Sequence, residues 1–240
     1  MLKFYRMRVL ALDSTTRSGS VALVENGQVI DERAGDPSRT HGERLPAELA
    51  DLGAAWPTID IFAVASGPGS FTGLRIGIAT MQGLALVTSR PVAGISALEA
   101  LAQIASQRVE PGSLIAAWID AQRGEVFSAL YRTTGAPPFT RERLVELEAP
   151  AVASPAFTLN SWSPFDLRTA TFIGDGAERY ASIISAGESV PHVAPTPLLA
   201  GALGRMAASS RDLAASPAAV HPLYVRRPDA ELHREHTQAR

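Results

Sequence analysis

Cysteine is absent from the 240 residues, and lysine occurs once, at Lys3. Without cysteine there is no disulfide, no thiolate nucleophile and no thiolate metal site. Without an internal lysine there is no lysine-dependent P-loop and no Schiff-base chemistry. Charge is also scarce: 19% of residues are charged, with 22 basic against 24 acidic side chains and a net charge of −2. That balance argues against a protein that grips nucleic acid by broad phosphate neutralisation alone. No apolar run reaches about 18 residues free of charges and turn signals, so no membrane span is expected. Met1 to Arg8 is basic but has no long apolar stretch behind it, so it does not read as a signal peptide. Residues 1–6 read as either an upstream start or an added stub ahead of Met7, and a cytoplasmic setting is expected.

What is present is a large apolar fraction, 46%, enough for a substantial core. Val9–Asp13 is a short apolar run ending in an acid, followed by a hydroxyl-rich turn and the strand-like Ser20–Val24. Asn26-Gly27 marks a tight hairpin, with Gln28–Arg33 returning. Leu45, Leu49, Leu52 and Trp56 share one face of a helix predicted over 43–56, with Pro46 fitting only its first turn. Asp60–Ser66 reads as a buried strand and Phe71–Thr88 as a long helix. Leu74, Ile78, Met81 and Ala85 stripe one side of that helix, and Gly73 and Gly77 lie one turn apart. Glycine costs about 1 kcal/mol against alanine inside a helix, so the pair marks a close backbone approach. It serves either packing on the chain's own sheet or contact with a partner protein. Ser96 caps a helix over 96–107, with Glu99 three residues on.

The opening pattern then recurs. Leu114–Asp120 ends in an acid, Gln122-Arg123-Gly124 turns, and Glu125–Arg132 alternates as a strand. The recurrence reads as duplicated half-domains: residues 1–110 and 111–228, divided at Glu110-Pro111-Gly112, with a frayed tail over 229–240. Between them the second half is less regular. Pro150, Pro155 and Pro164 allow only short elements over 149–166. A strand is expected over 169–174, a turn at Asp175-Gly176, and helices over 177–185 and 197–209.

Two constellations bear chemistry. The first is Ser66-Gly67-Pro68-Gly69-Ser70-Phe71-Thr72-Gly73, a strand running through glycines into a helix. It is either a phosphate-binding loop or a turn needing glycine for geometry alone. The second is Asp13 with Ser14, Thr15 and Thr16, where a carboxylate could support Mg²⁺ through water while hydroxyls contact phosphate; the alternative is an Asp capping its own turn. The second copy, Asp120 with Ala121-Gln122-Arg123, has lost the hydroxyls. The five histidines, His41, His192, His221, His233 and His236, have no metal-site spacing, and Gly-x-Ser-x-Gly is absent. The candidate phosphate contacts are therefore Asp13, Ser14, Thr15, Gly67, Gly69, Ser70 and Thr72.

Gly67-Pro68-Gly69-Ser70-Phe71-Thr72-Gly73-Leu74-Arg75-Ile76-Gly77, with Leu10–Thr16 upstream and Ile119–Phe127 downstream, resembles the TsaB (YeaZ) family. Pro222-Leu223-Tyr224-Val225-Arg226 is similar to that family's ending. The resemblance implies an α/β, two-lobe actin-like (ribonuclease-H-like) fold with mixed sheets flanked by helices. It implies a non-catalytic scaffold that pairs with a TsaD-like paralogue, works with a TsaE-like ATPase, and reaches tRNA through that complex. The modification is threonylcarbamoyladenosine beside the anticodon. The catalytic paralogue holds its metal with a His-Leu-Glu-Gly-His helix. The matching stretch here is Ala97-Leu98-Glu99-Ala100-Leu101, whose terminal residues cannot ligate a metal. Older glycoprotease labels for the family find no support in these residues. Partner binding in the family uses the helices of the first lobe, and the same surface would form a homodimer in the isolated protein. The residues expected there are Leu45, Leu49, Leu52, Gly73, Leu74, Gly77, Ile78 and Met81. No cofactor is expected to be required, with residual ATP or ADP binding left open. The alternative is an independent ATPase or kinase relative of the same fold.

Overall fold

The structure is a computed structural model that describes residues 6–52, 56–186 and 191–226. The chain begins with a meander, β1 (Arg8–Asp13), β2 (Ser20–Glu25) and β3 (Gln28–Ala34), followed by α1 (His41–Asp51). Then come β4 (Ile61–Gly67), α2 (Phe71–Thr88), β5 (Val92–Ser96) and α3 (Ala97–Ala105). The second half repeats this order. A meander of β6 (Leu114–Asp120), β7 (Val126–Thr133) and β8 (Leu144–Ala153) leads to α4 (Pro155–Ser161) and β9 (Thr171–Ile173). Short helices α5 (Asp175–Arg179) and α6 (Ala181–Ile184), then β10 (His192–Ala194), complete it. Then α7 (Ala200–Ser209) and β11 (Ala214–Ala215) follow, ahead of the segment that runs to Arg226.

The first sheet runs β11-β5-β4-β1-β2-β3 and the second β10-β9-β6-β7-β8. In each, the first strand of the meander pairs antiparallel with the second and parallel with a later crossover strand: β1 with β2 and β4, β6 with β7 and β9. Asp13 and Asp120 therefore end equivalent central strands.

Alternation along the strands explains the layers. Leu10, Leu12, Phe62 and Val64 face outward into a core shared with α1 and α2. Val9, Ala11, Ala63 and Ala65 face inward, into a core shared with α3, α7 and the inner face of the second sheet. Trp118, Phe172 and Trp162 fill a third core beyond the second sheet. The order is thus helices, sheet, helices, sheet, helices. Central strands β1, β4 and β6 are covered on both faces, as expected of parallel-paired strands flanked by helices.

Several local expectations meet different tertiary facts. The first helix starts at His41, because the Thr40 N–H donates to the Glu43 carboxylate (2.9 Å) and closes the first turn there. Pro46 consequently sits inside the helix, beyond its first turn. Residues 53–55, the end of the expected 43–56 helix, lie outside the described residues, and Trp56 begins a separate single turn. Asp175-Gly176 belongs to α5, and the expected 177–185 helix is broken at Tyr180. Strand β8 spans Pro150, because it is the edge of the second sheet, where a missing N–H costs no ladder bond. Residues 200–215, placed by sequence with the second half, return in space to the first: α7 packs on β1, β2 and β4, and β11 pairs with β5. Residues 1–5 and the 229–240 tail, with His233 and His236, lie outside the described residues.

Candidate functional site: the cleft between the lobes

The ends of the two central strands open on a cleft of about 1140 Å³. Its walls come from the β1–β2 turn, the segment before α1, the start of α2, the β6–β7 turn, Asp175 and the segment 223–226.

The two constellations singled out in the sequence are adjacent, and they are bonded to each other. The Thr15 N–H and hydroxyl both donate to Asp13 Oδ1, at 2.8 and 2.6 Å. Ser14 Oγ donates to the Gly73 carbonyl at 2.9 Å, and the Ser70 N–H donates to the Thr15 carbonyl at 2.8 Å. Ser70 Oγ in turn accepts from the Gly73 N–H and caps α2. Gly69 is obligatory here, since a Cβ on it would stand 2.5 Å from the Thr15 Cβ. Gly67, at φ +121°, passes the Leu223 carbonyl, which a Cβ would meet at 2.8 Å. Asp13, Ser14 and Thr15 are buried, whereas Thr72 is exposed on the wall. The Ser14 and Thr15 hydroxyls are thus engaged inside the protein and Asp13–Thr15 does not fit a phosphate clamp, whereas Ser70 and Thr72 are exposed at the start of α2. Burial pushes the Asp13 carboxyl above its ordinary value, the nearby negative Asp175 adds to this, and the Thr15 bonds oppose it.

In the second copy, Asp120 accepts from the Gln122 N–H at 3.0 Å and the Gln122 side-chain amide at 2.8 Å. Its own N–H donates to Asp175 Oδ1 at 2.9 Å. Burial raises the Asp175 carboxyl as well. Nothing in the local sequence marked Asp175, because it reaches the cleft only through the β6–β9 pairing.

A network around Arg44 also escaped the sequence reading. Arg44 is 2% exposed and forks onto both carboxylate oxygens of Glu48, at 2.7 and 2.6 Å. It also donates to the Ser18 carbonyl and to His41 Nδ1 (2.7 Å). His41 Nε2 lies 3.0 Å from the Thr16 carbonyl, which can only accept. The proton therefore sits on Nε2, and Nδ1 is the acceptor from Arg44. Burial and the neighbouring guanidinium hold His41 below the ordinary histidine range. His41 thus fixes the β1–β2 turn against α1.

The partner-surface residues require a correction. Leu45, Leu49, Leu52, Leu74, Ile78 and Met81 are all buried inside the chain, and all but Leu74 join the outer core of the first sheet. That sheet's outer face must be covered, and these side chains cover it. Gly73 and Gly77 are equally internal: a Cβ on them would stand 2.1 Å from the Ser14 carbonyl oxygen and 2.1 Å from Ser14 Oγ. Of the two readings of that pair, the structure supports packing within the chain.

The segment Leu223–Arg226 crosses the cleft. The Leu223 N–H donates to the Ser66 carbonyl at 2.7 Å, and the Tyr224 ring lies 5.1 Å from Phe71. Arg75 Nε donates to the Tyr224 hydroxyl at 2.9 Å, with its guanidinium 3.8 Å above Phe71. Two residues beyond Tyr224, Arg226 donates to the Ala121 carbonyl at 2.8 Å and pairs with Glu125 on the opposite lobe.

Two duplicated α/β lobes around a cleft at the ends of their central strands define a protein of the actin-like class. Residues 36–225 match the family model described as TsaD, tRNA N6-adenosine threonylcarbamoyltransferase. Over 130 residues the chain is 41% identical to the tRNA threonylcarbamoyladenosine biosynthesis protein TsaB of Escherichia coli, a match covering 52% of this chain and 55% of that protein. The chain spans about half the length of the curated TsaB relatives it matches. Among solved structures, YeaZ from Pseudomonas aeruginosa superposes with a TM-score of 0.71 at 29% identity, covering 91% of this chain and 99% of that one. A protein described as similar to peptidase YeaZ from Pseudomonas aeruginosa gives 0.74 at 30% identity over 92% and 100%. The chain belongs to the TsaB (YeaZ) family.

Proposed function

We propose that this chain acts in the biosynthesis of threonylcarbamoyladenosine on tRNA, as a non-catalytic scaffold that pairs with a TsaD-like, homologous subunit. The names of its TsaB relatives support the pathway. Two features of the chain support the scaffold role. Ala97 and Leu101, at the positions of the paralogue's paired histidines, are buried apolar residues of α3. The hydroxyls of the β1–β2 turn are engaged within the chain, which disfavours the alternative of an independent ATPase or kinase.

The observation that carries the pairing is the outer face of α2. This helix is long and apolar enough to cross a membrane by length and composition alone. Its inner side is core, yet beyond Arg75 its outer side is also apolar. Ala79 and Gly83 are exposed, Leu86 is 66% exposed and Val87 87% exposed. A contiguous apolar stripe left exposed on a surface-layer helix marks a docking face. The partner surface is therefore read as this outer face, in place of the buried face expected from the sequence. The same face would serve a homodimer in the isolated chain, and a TsaE-like ATPase and tRNA would join through the heterodimer, in a cytoplasmic setting.

The test is co-purification with a TsaD-like subunit and reconstituted tRNA modification. Ala79→Glu and Val87→Glu are expected to abolish both while leaving the circular dichroism spectrum and melting temperature unchanged. Unimpaired pairing would overturn the interface. Nucleotide turnover by the chain alone would favour the kinase-like alternative.

A further inference from the structure

The chain carries a net charge of −2, yet its cleft does not share that sign. Five arginines line it, Arg17, Arg39, Arg75, Arg123 and Arg226, against two aspartates, Asp120 and Asp175. Arg226 is neutralised by Glu125, and Arg39 lies near Asp36 and Glu43. Arg17 and Arg75 differ: among the described residues neither pairs with a carboxylate. Arg17 is exposed and uses only its Nε, on the Pro37 carbonyl at 2.9 Å. Arg75 uses only its Nε, on the Tyr224 hydroxyl, which leaves its two terminal nitrogens without a partner.

The setting of Arg75 is specific. Its guanidinium carbon lies 3.8 Å from the Phe71 ring centroid, and the Phe71 and Tyr224 rings lie 5.1 Å apart with a 30° tilt. Both rings stay partly exposed, at 37% and 39%. A guanidinium held this way is a pre-aimed fork for phosphate. The ring pair beside it offers a platform to a planar base. Alternating cations and aromatic faces along a groove are the means by which proteins hold single strands, with the backbone neutralised and the bases stacked.

We propose that the mouth of this cleft binds single-stranded RNA, with Arg17 and Arg75 on its phosphates and a base stacked on the Phe71–Tyr224 pair. The inference deepens the tRNA-modification reading and rests on it: the chain itself contacts the RNA substrate, in addition to its paralogue doing so. It also assigns the segment Leu223–Arg226 a role, that of bringing Tyr224 to the platform.

The test is fluorescence anisotropy of the full chain with a short labelled single-stranded RNA, titrated between about 50 and 200 mM salt. Arg17→Gln with Arg75→Gln is expected to weaken binding about tenfold or more at low salt and to lower the salt slope by about 1.4, two phosphates' worth. Tyr224→Leu is expected to weaken it by about fivefold or more with the slope unchanged. Arg168→Gln, an exposed arginine paired with Asp166 far along the chain, serves as the control and leaves binding unchanged. Arg17→Gln alone guards against loss of fold at Arg75, since Arg17 makes a single surface contact. Absence of RNA binding by the wild type, or equal binding by the cleft variants and the control, would overturn the proposal. So would displacement of the RNA by ATP at equal phosphate concentration, which would show a mononucleotide site. The tRNA-modification assay is run on the same proteins. A chain that stimulates modification without binding RNA removes this inference alone; one that binds RNA without stimulating modification removes the pathway reading instead.

Discussion

Asp13 shows how a carboxylate at the end of a central strand behaves when its surroundings close over it. Its carboxylate ends a buried strand, accepts two bonds from Thr15, and lies near Asp175. Burial dominates, so its folded pKa stands above its unfolded value. A raised carboxyl binds its proton more readily in the folded chain, so its favourable contribution is complete below about pH 4 and is lost as pH rises through the folded value. Asp175, Glu32 and Glu99 are raised for the same leading reason. The part of the stability contributed by these four carboxyls is therefore expected to fall, in urea unfolding, as pH rises from about 4 toward neutrality, with the lowered His41 opposing it as pH rises through the histidine range. In Asp13→Asn, whose side-chain oxygen still accepts from Thr15, that fall is expected to be shallower than in the wild type. An identical pH slope would show that Asp13 does not titrate in this range.

At the scale of the element, α2 separates two uses of glycine. Gly77 faces Ser14 at a distance no Cβ tolerates, whereas nothing lies within 4 Å of a Cβ at Gly83. Gly77→Ala is expected to destabilise by about 1–3 kcal/mol through overpacking, despite the helix propensity it gains. Gly83→Ala, six residues along the same helix, is expected to stabilise by up to about 1 kcal/mol. Urea midpoints of the two variants decide the matter, and a shift of the same sign in both would refute the assignment of faces. The same helix shows what sequence makes legible. Its bounds, Phe71–Thr88, follow from local chemistry: Ser70 caps one end, and a chain reversal at Ser89 in the left-handed region closes the other. The hairpin at Asn26-Gly27 is readable likewise, both residues having the positive φ that a tight turn of this kind requires. Which glycine face meets the chain's own turn is not local. It depends on β1 lying beside β4, as the burial of Arg44, the arrival of Asp175 and the edge position of β8 each depend on pairings between distant segments.

At the scale of the whole molecule, the duplication puts two strand ends face to face and leaves the chain to join them. The inner helices α3 and α7 do so from behind, through the apolar core between the sheets. The segment Leu223–Arg226 does so across the front. Its two ends are held by different lobes: Leu223 and Tyr224 on Ser66, Phe71 and Arg75, and Arg226 on Ala121 and Glu125. A short strap with anchors on both lobes limits how far the cleft opens. The Arg226–Glu125 pair is its far anchor and is partly exposed, with 24% and 38% of the side chains accessible. A pair of that exposure contributes about 1 kcal/mol or less. Losing it is therefore expected to leave global unfolding nearly unchanged while freeing the front of the cleft. Arg226→Gln and Glu125→Gln, singly and together, are expected to speed amide hydrogen exchange in the β6–β7 turn and at the start of α2, and not in β1, β4 or β6. The double variant is expected to exchange no faster than the faster single one, because both substitutions remove the same anchor. Additive effects of the two substitutions would mean that each residue acts through a different contact, and exchange unchanged in all three would mean that the strap does not hold the lobes.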